Sequence, residues 1–251
     1  MAETVIKTEG LTKRYEGGCL ALSGLDLSVG EGEFACLLGP NGAGKTTMIS
    51  LLFGFIRPTA GRAWVCGHDV VEESMEARRA MAFVPERVAL FENLTAVQNV
   101  TFFAELGGLR GNLRDRCRKA LLDAGLAPED LGRRVGQFSK GMRQKVALAA
   151  ALVRDCKVVV LDEPTSGLDP AAAENLMQRL AALVAQGTTV LMSTHDIFRV
   201  DELADRVFLL SKGKLVGEVG KQELGKGKLV EIYMDVVARS ASVEPAGVVS
   251  G

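Results

Sequence analysis

The residues of this chain with the clearest chemical purpose stand in one run, Gly39-Pro40-Asn41-Gly42-Ala43-Gly44-Lys45-Thr46-Thr47. Their spacing is G-x-x-x-x-G-K-[ST], in which each fixed position has a physical job. Glycines at 42 and 44 let the backbone curl until successive N–H groups face inward, a concave nest for phosphate oxygens. A helix beginning near Lys45 adds the positive end of its dipole. A lysine at this point reaches β- and γ-phosphates, and the Thr46 hydroxyl is a ligand for Mg²⁺. The run is therefore a nucleotide phosphate site. It does not say which nucleotide, or what hydrolysis would drive.

A second group of reactive side chains lies far downstream. Val158-Val159-Val160-Leu161 is an apolar strand candidate that ends in Asp162-Glu163-Pro164. Taken alone, paired acids there are equally an ordinary strand terminus. Behind a phosphate loop, Asp162 is placed to hold Mg²⁺ through its water shell at the end of a neighbouring strand. Glu163 could then orient and deprotonate the attacking water, provided it comes within hydrogen-bond reach. His195 follows another apolar strand candidate, residues 188–192, by the same logic of position. His68 has no such setting, and no role is assigned to it. Tyr15, in Thr12-Lys13-Arg14-Tyr15, carries a ring that can stack on a base or simply pack, half-buried.

The elements that must position these groups are legible as alternating patterns. Residues 4–8, 20–29 and 34–38 read as strands, the last feeding the glycine-rich run; 62–66 and 81–84 are further candidates. From about 88 to 155 the pattern is mainly helical. One helix starts at Leu94-Thr95-Ala96 and stops at Gly107-Gly108, another covers about 113–124, and a third starts near Ser139. Residues 171–186 and 196–204 are helical, and 207–219 reads as a hairpin turning at Lys212-Gly213. Strands alternating with helices predict an α/β fold with a mostly parallel, helix-covered sheet and the helical block inserted in it. Residues 238–251, small and rich in Ser, Ala, Gly and Val, read as a frayed tail. The domain is accordingly drawn over 1–235 and the tail over 236–251, with no internal repeat.

Composition narrows the partners. A chain of 251 residues that is 47% hydrophobic and 24% charged supports a sizeable core. A net charge of −1 gives no global attraction to nucleic acid, and Arg114, Arg116, Arg118 and Lys119 read as a solvated helix face. The five cysteines are scattered without a C-x-x-C pair, as expected of free thiols in a reducing compartment. The first residues lack the apolar core of a secretion signal, and no apolar run approaches the ~18 residues that span a bilayer. A membrane role would need a separate chain.

In combination these residues resemble one family, the nucleotide-binding subunit of ATP-binding-cassette (ABC) transporters, over roughly 3–235. Its marks occur in the family's order. Tyr15 matches the aromatic that stacks on adenine, and Gly39–Thr47 the Walker A run. Phe138-Ser139-Lys140-Gly141-Met142-Arg143-Gln144 matches the signature usually written LSGGQ. Val158–Glu163 matches Walker B, Ser166-Gly167-Leu168-Asp169 the D-loop, and His195 the switch histidine. The resemblance implies a P-loop NTPase core with an antiparallel β subdomain on its N-terminal side and an inserted α-helical subdomain. It implies ATP and Mg²⁺ as cofactors, with Thr46, Asp162 and Glu86 toward the metal and Glu163 and His195 as catalytic groups. It also implies a second ATP-binding subunit, identical or not, stacked head to tail. Ser139, Lys140, Gly141, Met142 and Asp169 would then serve the nucleotide across that interface.

Three positions depart from the pattern. Pro85-Glu86 stands where glutamine is usual, so that Glu86 can only accept hydrogen bonds. Lys140 replaces the first signature glycine, either as a cation near the partner's phosphates or as a solvated side chain. Met142 replaces the usual glutamine. These variants, and Glu231–Val236, resemble bacterial exporter-type ATPases with separate membrane subunits. Residues 86–99 correspond to the region that receives the transmembrane permease, with Phe91 and Leu94 as candidate contacts; for Leu94, packing onto the core is as good a reading. The implied location is cytoplasmic and peripheral, on the inner face of the membrane. An assembly or regulatory ATPase of the same family, without a membrane partner, is the alternative. A GTPase or kinase is disfavoured: there is no Asn-Lys-x-Asp segment, and neither class uses the 138–144 signature.

Overall fold

The computed structural model describes residues 3–225 and 227–242. In chain order the elements are β1 (Thr4–Arg14), β2 (Leu20–Gly30), β3 (Phe34–Leu38), α1 (Lys45–Leu52), β4 (Ala60–Val65), β5 (His68–Asp69), α2 (Ser74–Ala80) and β6 (Met81–Val84). The helical block follows, with α3 (Ala96–Leu106), α4 (Arg114–Asp123) and α5 (Lys140–Leu152). The chain then returns to the core through β7 (Val158–Asp162), α6 (Pro170–Ala185), β8 (Thr189–Thr194), α7 (Ile197–Leu203), β9 (Arg206–Ser211), β10 (Lys214–Gly220) and α8 (Lys228–Ser242).

Two sheets result. The larger has the order β10-β9-β3-β8-β7-β6, parallel throughout except for the β9–β10 hairpin. The smaller, β2-β1-β4-β5, is antiparallel. Every residue of β3, β7 and β8 is buried, as parallel strands covered on both faces require. Side chains of β3 alternate between two cores. Phe34, Cys36 and Leu38 join the one shared with the helical block, while Ala35 and Leu37 join the one under α1 and the antiparallel sheet. Registry places Leu38 opposite Thr194 and Asp162 opposite Ser193. The ends of β3, β7 and β8 therefore arrive side by side at one rim, where open α/β sheets bind ligands.

The helical block is locally encoded. Thr95 and Gln98 form a reciprocal capping box at the start of α3, with bonds of 2.9 and 3.2 Å. The buried Asn99 amide accepts from the Phe91 N–H at 2.9 Å and donates to the Phe91 carbonyl at 3.1 Å, which pins the segment before α3 onto it. All five cysteines are free, with Cys36 and Cys117 buried. Burial, with Asp205 nearby, pushes the Cys36 thiol far above its ordinary value.

Three features differ from the sequence expectation. β1 runs on to Arg14 because Gly10, at φ +55, takes up a register shift that interrupts the alternation. β5 and α2 are too short to give a periodic signal. α8 continues to Ser242, so that residues 236–242 of the expected tail are helical; 243–251 lie outside the described residues. Its start is fixed by a distant residue. The buried Asp201 carboxylate on α7 accepts from the N–H groups of Gly225 and Gly227, both at 2.8 Å, and of Leu229 at 3.4 Å. Among the described residues no helix is long and apolar enough to cross a membrane.

Candidate active site

The loop between β3 and α1 has the backbone its glycines predict. Gly42 and Gly44 lie at φ +80 and +105. A Cβ on Gly44 would meet the Ala21 carbonyl and a Leu22 methyl at 2.7 Å, and a Cβ on Gly39 would come within 2.2 Å of the Leu210 carbonyl. The nest is thus wedged between β2 and β9 by close backbone approach. Gly44→Ala is expected to destabilise the fold by about 2 kcal/mol or more, read as a lower urea midpoint, since both the dihedral and the contact resist it.

Lys45 is buried at the centre. Its ammonium donates to the Gly39 carbonyl at 2.6 Å and the Pro40 carbonyl at 3.3 Å. It also lies 3.2 Å from Glu163 Oε1, a close charge contact without hydrogen-bond geometry. The other carboxylate oxygen, Oε2, is 2.8 Å from His195 Nδ1. Glu163 itself sits in the left-handed region at φ +44, rare for a non-glycine residue and typical of functional turns. Its N–H is held at 3.1 Å by both the carbonyl and the hydroxyl of Ser193. Residues from three strand ends thereby meet: Lys45 after β3, Glu163 after β7 and His195 after β8.

Thr46 and Asp162 form the hard-oxygen pair expected for a small divalent cation, with Thr46 Oγ1 at 3.4 Å from Asp162 Oδ1. No cluster of three or more His, Cys, Asp or Glu suited to a metal exists among the described residues. Such a sparse donor set suits Mg²⁺, which keeps waters and shares its shell with substrate phosphates. Ser193, to which the sequence reading gave no role, is part of this centre. Its hydroxyl donates to the Asp162 carboxylate while accepting from the Glu163 N–H. The available signal was its place as a polar residue at the end of an apolar strand. Tyr15 lies beside the same loop, its hydroxyl 3.4 Å from Thr47 Oγ1 and its ring partly exposed under Lys13 Nζ at 5.3 Å.

The remaining predicted residues form a second group. Ser139 caps α5, its hydroxyl accepting from the Met142 N–H at 3.3 Å. Asp169 caps α6 through the Ala172 N–H at 2.9 Å. Gly141 faces α6 so closely that a Cβ there would lie 3.3 Å from the Ala172 methyl. Lys140 donates to the Ser166 carbonyl, and the Ser166 hydroxyl donates to Glu86 Oε1 at 3.3 Å. This group is tied to the first through the turn that runs from Glu163 to Ser166. The fold brings Glu86, Lys140 and the 166–169 segment together beside the turn after Glu163.

Comparison with known proteins settles the family. The model of the family described as ABC transporter matches residues 22–166. This chain belongs to the ABC transporter family. Its cassette is 42% identical, over 96% of its length and 76% of the relative's, to a daunorubicin resistance ATP-binding protein of Streptomyces coeruleorubidus. It is 35% identical to the Nod factor export ATP-binding protein I of Burkholderia orbicola, over 93% of this chain and 78% of that one. Among solved structures, the cassette resembles a dimeric ATP-binding cassette in a post-hydrolysis state bound to ADP and Pi, with TM-score 0.79 at 29% identity over 86% of this chain and 98% of the other. The cbiO1 subunit from Clostridium perfringens, part of the cbiONQ ABC transporter complex, gives TM-score 0.81 at 28% identity, covering 97% and 96%. The α/β P-loop cassette fold and an ABC-type ATPase activity are thereby established for this chain.

Proposed function

We propose that this cassette closes with a second ATP-binding subunit around a pair of MgATP molecules and drives export through a separate transmembrane chain. The observation that carries the reading is the division of the site into two groups. Lys45, Thr46, Asp162, Glu163 and His195 gather at one rim, with Tyr15 beside the loop. The tip of α5 stands exposed and turned to its own D-loop, available to a second copy's triphosphate. In this reading the nest from Gly39 to Gly44 and Lys45 hold the β- and γ-phosphates. Thr46 and Asp162 hold Mg²⁺, which would neutralise charge on the phosphates, and Glu86 acts toward the metal's water shell. Glu163 orients and deprotonates the attacking water, and His195 positions Glu163 and contacts the γ-phosphate. Tyr15 stacks on the base. Ser139 and the N–H groups of Lys140, Gly141 and Met142 take the partner's γ-phosphate, and Asp169 lies along the shared face.

Export is supported by the names of relatives concerned with drug resistance and Nod factor export. The membrane partner is expected to use a groove of about 600 Å³ between the core and the helical block. Phe53, Phe55, Phe83, Phe103 and Leu106 line it, and Phe55 and Leu106 are 58% and 73% exposed. The 86–99 segment, with Phe91 and Leu94, is the other candidate part of that surface. Phe91 is exposed and packs edge-on against Phe102 at 4.7 Å, whereas Leu94 is half-buried against the helical block. Apolar surface of this kind is worth covering. Phe55→Asp combined with Leu106→Asp is expected to leave soluble ATPase activity intact and abolish co-purification with a multispanning protein from membranes. Recovery of the wild type with soluble proteins alone would instead support an assembly or regulatory ATPase.

A further inference from the structure

Two departures from the family pattern, distant from each other in the sequence, converge on one residue in space. Glu86 stands where glutamine is usual and Lys140 where glycine is usual. Both reach Ser166, Glu86 by accepting from its hydroxyl at 3.3 Å and Lys140 by donating to its carbonyl. The ammonium lies so close that a Cβ on Gly167 would be 2.7 Å from Nζ. Ser166 is in turn one turn from the hydrolytic centre, because its N–H donates to the Glu163 carbonyl at 3.1 Å. Every hydrogen-bonding group of Ser166 is thus engaged: the N–H with Glu163, the hydroxyl with Glu86, the carbonyl with Lys140.

We propose that Glu86 and Lys140 are positioning residues that set the Glu163 turn through Ser166. The proposal rests on the reading of Glu163 as the general base. Its physical basis is the strained backbone at Glu163, which persists only where its surroundings over-determine it. An acid and a base gripping opposite sides of the residue that closes the turn supply that constraint, and glutamine and glycine at the same positions would supply less of it. The arrangement also links three sites. Glu86 follows β6, Lys140 sits at the helix tip offered to the second subunit, and Ser166 bonds back to the carbonyl of the base.

The test is a set of steady-state ATPase measurements on the full chain. Lys140→Met and Ser166→Ala are each expected to lower kcat by about tenfold, the worth of a charge-assisted hydrogen bond, with KM for ATP within twofold of the wild type. Lys140→Arg should restore most of the rate, and Glu86→Ala combined with Ser166→Ala should be no slower than Ser166→Ala alone, because both remove the same hydroxyl–carboxylate bond. All these side chains are exposed or half-buried, and unchanged melting temperatures are expected to show that folding is not the cause. Wild-type kcat in Lys140→Met, or strictly multiplicative effects in the double variant, would overturn the proposal. Glu163→Gln serves as the control. If it abolishes turnover while Lys140→Met does not lower it, the positioning role alone fails; if Glu163→Gln turns over normally, the underlying assignment of the base fails.

Discussion

Glu163→Gln is expected to bind MgATP with near wild-type affinity, to lose at least about 10²-fold in kcat, and to accumulate as an ATP-bound dimer. The amide keeps the shape of the side chain and can still meet His195 Nδ1, which lies 2.8 Å from Oε2 in the wild type. It cannot take a proton from water. Removing the carboxylate also removes a negative charge that sits 3.2 Å from Lys45 Nζ, at the place where phosphates would compete for the same ammonium. Loss of chemistry without loss of binding should trap the closed state, since hydrolysis is the step that reopens it. Size-exclusion chromatography with multi-angle scattering, with and without MgATP, reads the dimer; a phosphate-release assay reads the rate. A variant that hydrolyses at the normal rate, or stays monomeric in saturating MgATP, would remove the base or the sandwich from the mechanism.

Lys45→Ala is expected to weaken MgATP binding by about 10²-fold or more, and the loss has two sources. The first is the missing cation at the phosphates. The second is what remains. Lys45 is 6% exposed, and its ammonium is the cation among the Gly39 and Pro40 carbonyls and the Glu163 carboxylate. Without it those oxygens crowd a largely buried space and repel a triphosphate. Breaking a buried pair by deleting one partner typically costs about 3–5 kcal/mol, so a lower melting temperature should accompany the binding defect. Calorimetric titration measures the affinity directly. Thermal melts give a second reading: ligand at about 100 times its dissociation constant stabilises the wild type by about 2.7 kcal/mol, and the variant should show almost none of that shift. Unimpaired binding by Lys45→Ala would place the phosphates elsewhere.

The amino-acid sequence determined the local chemistry. The phosphate nest, the strand feeding it, the helix caps at Thr95, Ser139 and Asp169, and the acids closing β7 are all encoded over short distances, where glycine placement, capping residues and apolar periodicity act directly. The alternation of β and α elements was readable for the same reason, and with it the parallel sheet. What failed to show lacked a local signal. α8 is anchored by Asp201, more than twenty positions upstream, and β1 passes its bulge only because β2 and β4 hold it on both sides.

Only the tertiary structure decided which reactive residues share a neighbourhood. Registry among β3, β7 and β8 brings Lys45, Glu163 and His195 into contact, and reveals Ser193 between Asp162 and the Glu163 N–H. Packing of α5 against the start of α6 sends Lys140 to Ser166, where Glu86 also arrives, a meeting that no spacing rule predicts. Periodicity and capping are fixed within a few residues along the chain. Proximity between strand ends depends on how hydrogen-bonded registers and packed cores close around the whole molecule.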